Sequence, residues 1–202
     1  DFRSLDLSRL SASHRLYEHT FHGDACSCSY LCKHCLVFRG LINYYLTNNE
    51  DPNRLFELIG LAKKNEPDNA SLIYAEGNVY LNLKDYEKAI EFYQKSYDTD
   101  NSYFYGIYAV GNTYFELAVQ AQTEIDLLDI SDIKGYEALT AKMDEYLQKS
   151  IEPFEKAFEI SDNEDVKTNV ALALKQIFFR YREKNPEYAE KYKQYDEYVA
   201  SK

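Results

Sequence analysis

The sequence predicts an all-α fold of antiparallel helix pairs, and three observations carry that prediction. Composition is the first: 7 Gly and 4 Pro among 202 residues leave few chain breaks, while 45% hydrophobic residues supply a core, a balance that suits helices better than turn-rich sheets. Second, apolar residues recur at helical spacing between capping residues and prolines. Third, GNVY at residues 77–80 returns as GNTY at 111–114, an offset of 34, and self-similarity at such a period marks stacked structural units.

The helical pattern starts at Leu36. In NNEDPNRLFELIGLAKKNEPDNA, Asp51 is placed to cap a helix and Pro52 to occupy its first position; Leu55, Leu58, Ile59 and Ala62 follow at helical spacing, and Glu66-Pro67 ends it. The next unit, residues 70–103, fits two amphipathic helices near 70–82 and 86–97 with a turn around Lys84-Asp85. Gly77 falls where the two helices must approach closely, with Ala89 facing it, so a large residue at either place pushes the pair apart. Tyr80, Tyr93, Tyr114 and Phe154 are expected between helices. A further unit opens at Phe104 with Gly111 and Tyr114, but its second helix resumes only at QKSIEPFEKAFEISD. Gly111 to Ser150 spans 39 residues where Gly77 to Ala89 spans 12, so about 27 are inserted. Both helices can absorb them, the first running on through AVQAQTEID and the second beginning near Tyr136. The insert then becomes a long helical hairpin with an apolar stripe of Leu139, Met143, Leu147 and Ile151. Residues 163–202 read as a closing helix pair, the second helix opened by Asn185-Pro186, with a charged outer face that caps the stack.

These residues resemble the tetratricopeptide repeat: a 34-residue helix-turn-helix period with Gly77, Tyr80, Ala89 and Tyr93 at the repeat's characteristic positions and Ser96 in place of a small Ala. Residues 36–202 also resemble Bacteroidetes-type tetratricopeptide proteins, in which an expanded repeat precedes a closing helix rich in Tyr and Lys. The resemblance implies an α-α solenoid, a right-handed superhelix of helix pairs: a degenerate repeat at 36–69, a clear repeat at 70–103, an expanded repeat at 104–162 and a capping pair at 163–202. It further implies a concave groove lined by the first helix of each pair. In this chain the groove residues would be Tyr74, Asn78, Leu81, Asn82, Tyr105, Tyr108, Asn112 and Phe115, with Glu116 beside them. Asn can make paired hydrogen bonds to a peptide main chain, and Tyr gives contact area with little entropy to lose. Chaperone-binding members hold a terminal carboxylate with Lys and Arg; Tyr74 and Tyr108 stand where Lys would be needed. A mixed aromatic and acidic groove suits a basic or aromatic segment better.

Residues 1–35 differ from all that follows. They hold all four His and all four Cys and balance four basic with four acidic residues, so the net charge of −11 belongs to residues 36–202. HGDACSCSYLCKHC places Cys26, Cys28, Cys32 and Cys35 within ten residues, with His22 and His34 able to substitute. Zinc takes four such ligands in a tetrahedron, usually as two well-separated pairs; here Cys32-x-x-Cys35 is an acceptable pair and Cys26-x-Cys28 a tight one. Three other readings stand beside zinc: a redox pair at Cys32 and Cys35, cysteines packed as small apolar side chains on a helix, and a segment foreign to the repeat domain.

Excess acid repels a phosphate backbone, so nucleic acid is not an expected partner. No run of 18 apolar residues exists, so no membrane span is expected, and a soluble protein of cytoplasm or periplasm follows, the choice between them unreadable. Beyond residue 35 there is no His, no Cys and no nucleophile or metal motif. The sequence therefore points to a non-catalytic scaffold that binds a protein or peptide in its groove, with no cofactor; a zinc module at 22–35 is the alternative. The insert is expected to act either as a mobile arm or as a homodimer contact.

Overall fold

The computed structural model describes residues 51–202, which form seven α-helices and no strand. The described residues divide into two compact units at the boundary between Gly106 and Ile107; the composition boundary at residue 35 lies outside the described residues.

In the first unit, α1 (Pro52–Asn65) begins where the sequence places it. The Asp51 carboxylate accepts the Asn53 N–H at 3.0 Å, and Pro52, having no N–H to leave unpaired, takes the first turn. Its buried stripe is Leu55, Leu58, Ile59 and Ala62, packed against Leu72, Ala75 and Val79 of the next helix. That helix, α2 (Ala70–Asn82), is capped by Asn69, whose side-chain oxygen accepts the N–H groups of Ser71 and Leu72 at 2.9 and 3.3 Å. Nine of the ten residues from Ala70 to Val79, all but Glu76, are buried, as befits a helix that is apolar nearly all round. It ends in a Schellman turn: Lys84 takes φ 61°, its N–H donates to the Leu81 carbonyl at 2.9 Å, and the Asp85 N–H donates to the Tyr80 carbonyl at 2.9 Å. Asp85 then caps α3 (Tyr86–Thr99), which buries Ala89, Tyr93 and Ser96 on one face.

Glycines let these helices meet. A Cβ on Gly77 would lie 2.7 Å from the Tyr93 ring and 3.3 Å from the Ala89 carbonyl oxygen. Gly106, in the first turn of α4 (Tyr105–Asp126), would place a Cβ 2.8 Å from both the Tyr93 oxygen and the Tyr97 nitrogen, which are backbone atoms unable to step aside.

The second unit contains the rest of α4, then α5 (Ile133–Ile160), α6 (Glu164–Tyr181) and α7 (Pro186–Ala200). A Cβ on Gly111 would lie 2.7 Å from the Phe154 ring, and Tyr114 of the following turn lies 6.4 Å, ring to ring, from Tyr146. As α4 advances its partner residues on α5 recede, so the two run antiparallel. Both helices absorb the extra residues, but α5 starts at Ile133 rather than near Tyr136, because the Asp132 side chain accepts the Gly135 N–H at 2.9 Å and caps it earlier. Pro153, inside α5, removes one ladder bond, yet the helix continues to Ile160 with Phe154 and Ala157 buried beyond it. Met143, Leu147 and Ile151 of the insert stripe are buried and Leu139 half-buried, so that stripe is already covered.

Helix α6 buries Val166, Val170, Leu174, Ile177 and Phe178 completely. Each such side chain contributes about 1.5–3 kcal/mol, whereas exposed pairs such as Lys149–Glu145 and Lys156–Glu152 contribute about 0–1 kcal/mol apiece; apolar burial therefore holds the unit. Helix α7, capped by Asn185 with Pro186 in its first turn, is fastened through aromatics: Tyr195 stacks on Phe178 at 5.8 Å and 9°, and Phe158 meets Tyr195 and Tyr198 edge-on.

Gly60 and Gly106 separate propensity from packing. No described atom lies within 4 Å of a Cβ on Gly60, in the exposed part of α1, so Gly60→Ala is expected to raise stability by up to about 1 kcal/mol. Gly106→Ala is expected to lower it by about 1–3 kcal/mol or more through overpacking. Urea denaturation midpoints of the two variants check both signs.

Candidate functional site

The first helix of each repeat unit, α2 and then α4, carries the residues that a groove would use. Their environments differ, and one atom explains why. In the first unit, Asn78 is only 2% exposed, and the Tyr93 hydroxyl donates to its side-chain oxygen at 2.7 Å. In the second, the residue matching Tyr93 is Phe154, which has no hydroxyl to donate. Asn112 is half-buried, and its side-chain N–H donates instead to Glu116 at 3.0 Å along its own helix.

Four residues expected to line the groove belong to the interior. Tyr74 is buried, its ring 5.2 Å from that of Tyr93 and 5.9 Å from that of Tyr103. Asn78 is occupied as described. Tyr108 and Phe115 are buried, their rings 6.3 and 6.1 Å from Phe154. The correction has one cause: with glycine at 77 and 111 the aromatic of the second helix settles deep against the first, and neighbouring large side chains close around it. Of the remaining four, Asn82 is exposed and Leu81, Tyr105 and Asn112 are half-buried. Leu81, Asn82 and Tyr105 belong to the first unit and Asn112 to the second. Tyr80 lies 5.1 Å from both Phe56 and Phe92.

Glu116 was legible as one of the groove positions of the repeat, and its carboxyl is perturbed. Burial pushes it above the ordinary carboxylate range, and the Asn112 hydrogen bond partly offsets this. The Tyr108 phenol is likewise pushed up, by burial first and by the Glu116 charge second. This amide-carboxylate pair can accept or donate hydrogen bonds.

Cys26, Cys28, Cys32 and Cys35, with His22 and His34, lie outside the described residues. Among the described residues no group of three or more His, Cys, Asp or Glu is placed to hold a metal ion, and no helix is long and apolar enough to cross a membrane.

No family model matches the sequence, and no curated protein matches it. Among solved structures, the chain is similar to the MamA RS-1 ArsTM double mutant at 19% identity, over 83% of this chain and 97% of that one, with a TM-score of 0.39. The functional reading rests on this chain's own helix pairs.

Glu116 yields a pH-dependent prediction. Its folded-state pKa is raised, so the stability it confers is fully present below the unfolded value and is lost as pH rises through the folded one. Glu116→Gln keeps an acceptor for Asn112 and removes the titration. The variant is expected to be more stable than wild type at pH 7, with the difference closing below about pH 4, as read from thermal unfolding across that range.

Proposed function

We propose that this chain is a non-catalytic protein-binding scaffold of the tetratricopeptide type, its helix pairs forming a solenoid and the extended α4–α5 pair a hairpin insertion. The observation that carries the proposal is the recurrence of one contact: Gly77 under Tyr93 and, 34 residues on, Gly111 under Phe154. A recurring helix pair of this kind makes a rigid scaffold that presents side chains without an ordering cost at the moment of binding. Sequence supports the absence of chemistry, since no His or Cys occurs beyond residue 35.

The surface proposed to meet the partner is what the interior of the first unit leaves accessible: Leu81, Asn82 and Tyr105. It pairs an amide with apolar and aromatic area, and in the second unit Asn112 with Glu116 offers an amide beside a carboxylate; each suits an extended peptide with a basic or aromatic side chain.

Peptides selected from a displayed random library on the full chain test this. Selected peptides are expected to be enriched in Lys, Arg or aromatic residues and to bind about tenfold more weakly to an Asn82→Ala, Tyr105→Ala variant. Selected peptides that bind wild type and variant equally, with both folded by circular dichroism, would overturn the proposed surface.

A further inference from the structure

We propose that the connector between α4 and α5 is a second docking surface, one that takes a cationic amphipathic segment of a partner protein. Eight large hydrophobic residues are exposed among the described residues, and four of them, Leu127 (81%), Ile130 (101%), Ile133 (67%) and Tyr136 (54%), fall within ten consecutive positions. Singly exposed apolar residues are ordinary, but four within one short connector mark a candidate interaction site.

The connector is built to hold them outward. The Asp129 side chain accepts the N–H and hydroxyl of Ser131 at 2.9 and 2.6 Å, and the Asp132 N–H donates to the Asp129 carbonyl at 2.9 Å. These bonds make a tight turn with Ile130 and Ser131 at its centre, and Ile130 is fully exposed there. Asp132 then caps α5 through the Gly135 N–H, and Ile133 and Tyr136, three apart, share a helix face.

Charge selects the occupant. From residue 124 to 137 the chain carries five carboxylates, Glu124, Asp126, Asp129, Asp132 and Glu137, against one ammonium, Lys134. Apolar side chains ringed by acid fit a segment with an apolar stripe and a basic margin. A second copy would bring the same five carboxylates against these, and an anionic membrane would be repelled by them. This surface does not depend on the groove residues of the preceding section.

The test uses the full chain and a fluorescent synthetic helix with Leu at i, i+3, i+4 and i+7 and Lys elsewhere, read by anisotropy. It is expected to bind, to bind more weakly as salt rises, and to lose about tenfold or more in affinity on Ile130→Ser with Ile133→Ser. Both positions are exposed, so the fold is expected to survive, as circular dichroism reports. Asp126→Asn with Glu137→Gln is expected to flatten the salt dependence, while Leu83→Ser, an exposed leucine elsewhere, leaves binding unchanged. Equal binding by the Ile130, Ile133 variant overturns the proposal, as does equal binding of the same peptide with Glu in place of Lys. So does a wild-type dimer that this variant abolishes in sedimentation, or binding to phosphatidylserine vesicles that exceeds binding to the peptide.

Discussion

An aromatic ring seated on the bare backbone of a glycine is the contact on which the rest of the architecture depends. In the first unit Tyr93 of α3 rests on Gly77 of α2; in the second Phe154 of α5 rests on Gly111 of α4. A single methyl at either glycine would stand 2.7 Å from ring carbons, well inside van der Waals contact. The missing Cβ sets how closely each pair approaches. It also fixes register, since Gly77 marks the turn of α2, and Gly111 the turn of α4, on which the second helix's ring is seated. Ala89, fully buried one turn before Tyr93, lets the same approach continue along α3, and Ser96, also fully buried, donates its hydroxyl to the Ala70 carbonyl at 2.7 Å, fastening the far end of the pair.

Polar chemistry follows from this packing. A buried amide must find a partner, because leaving it unpaired costs about 1–3 kcal/mol. Tyr93 carries a hydroxyl at the depth of Asn78 and satisfies it; Phe154 does not, and Asn112 turns to Glu116. Two Asn residues at equivalent repeat positions thereby acquire different availability, one sealed in the core and the other at a half-buried carboxylate. The choice between Tyr and Phe on the second helix decides what the first helix can offer a partner.

Much of the fold was legible. Helix α2 occupies the range its pattern marks, and the caps at Asp51 and Asn185 were visible as a carboxylate or amide immediately before proline. The extended α4 was readable because its apolar period runs unbroken through Ala118 and Ala121, both buried. The start of α5 was not, since a cap by Asp132 looks like one more acidic loop residue until its partner N–H is known. The candidate site was less legible still. Position within a repeat says which helix face a residue occupies, but not how deep the facing aromatic sinks, so Tyr74, Asn78, Tyr108 and Phe115 seemed accessible. The Tyr-to-Phe difference at 93 and 154 was the available signal for the two Asn environments. The apolar residues of DLLDISDIKG carry no helical period, so the sequence alone does not show whether they are covered.

The glycine seat can be tested directly by a double-mutant cycle of Gly77→Ala and Tyr93→Leu, with unfolding free energies from urea denaturation. If the ring is what the glycine accommodates, Gly77→Ala costs about 1–3 kcal/mol beneath Tyr93 and becomes neutral or stabilising in the Tyr93→Leu background, where helix propensity favours Ala by about 1 kcal/mol. The two substitutions are then strongly coupled. Equal cost of Gly77→Ala in both backgrounds would contradict the account, because the glycine would then serve something other than the ring above it.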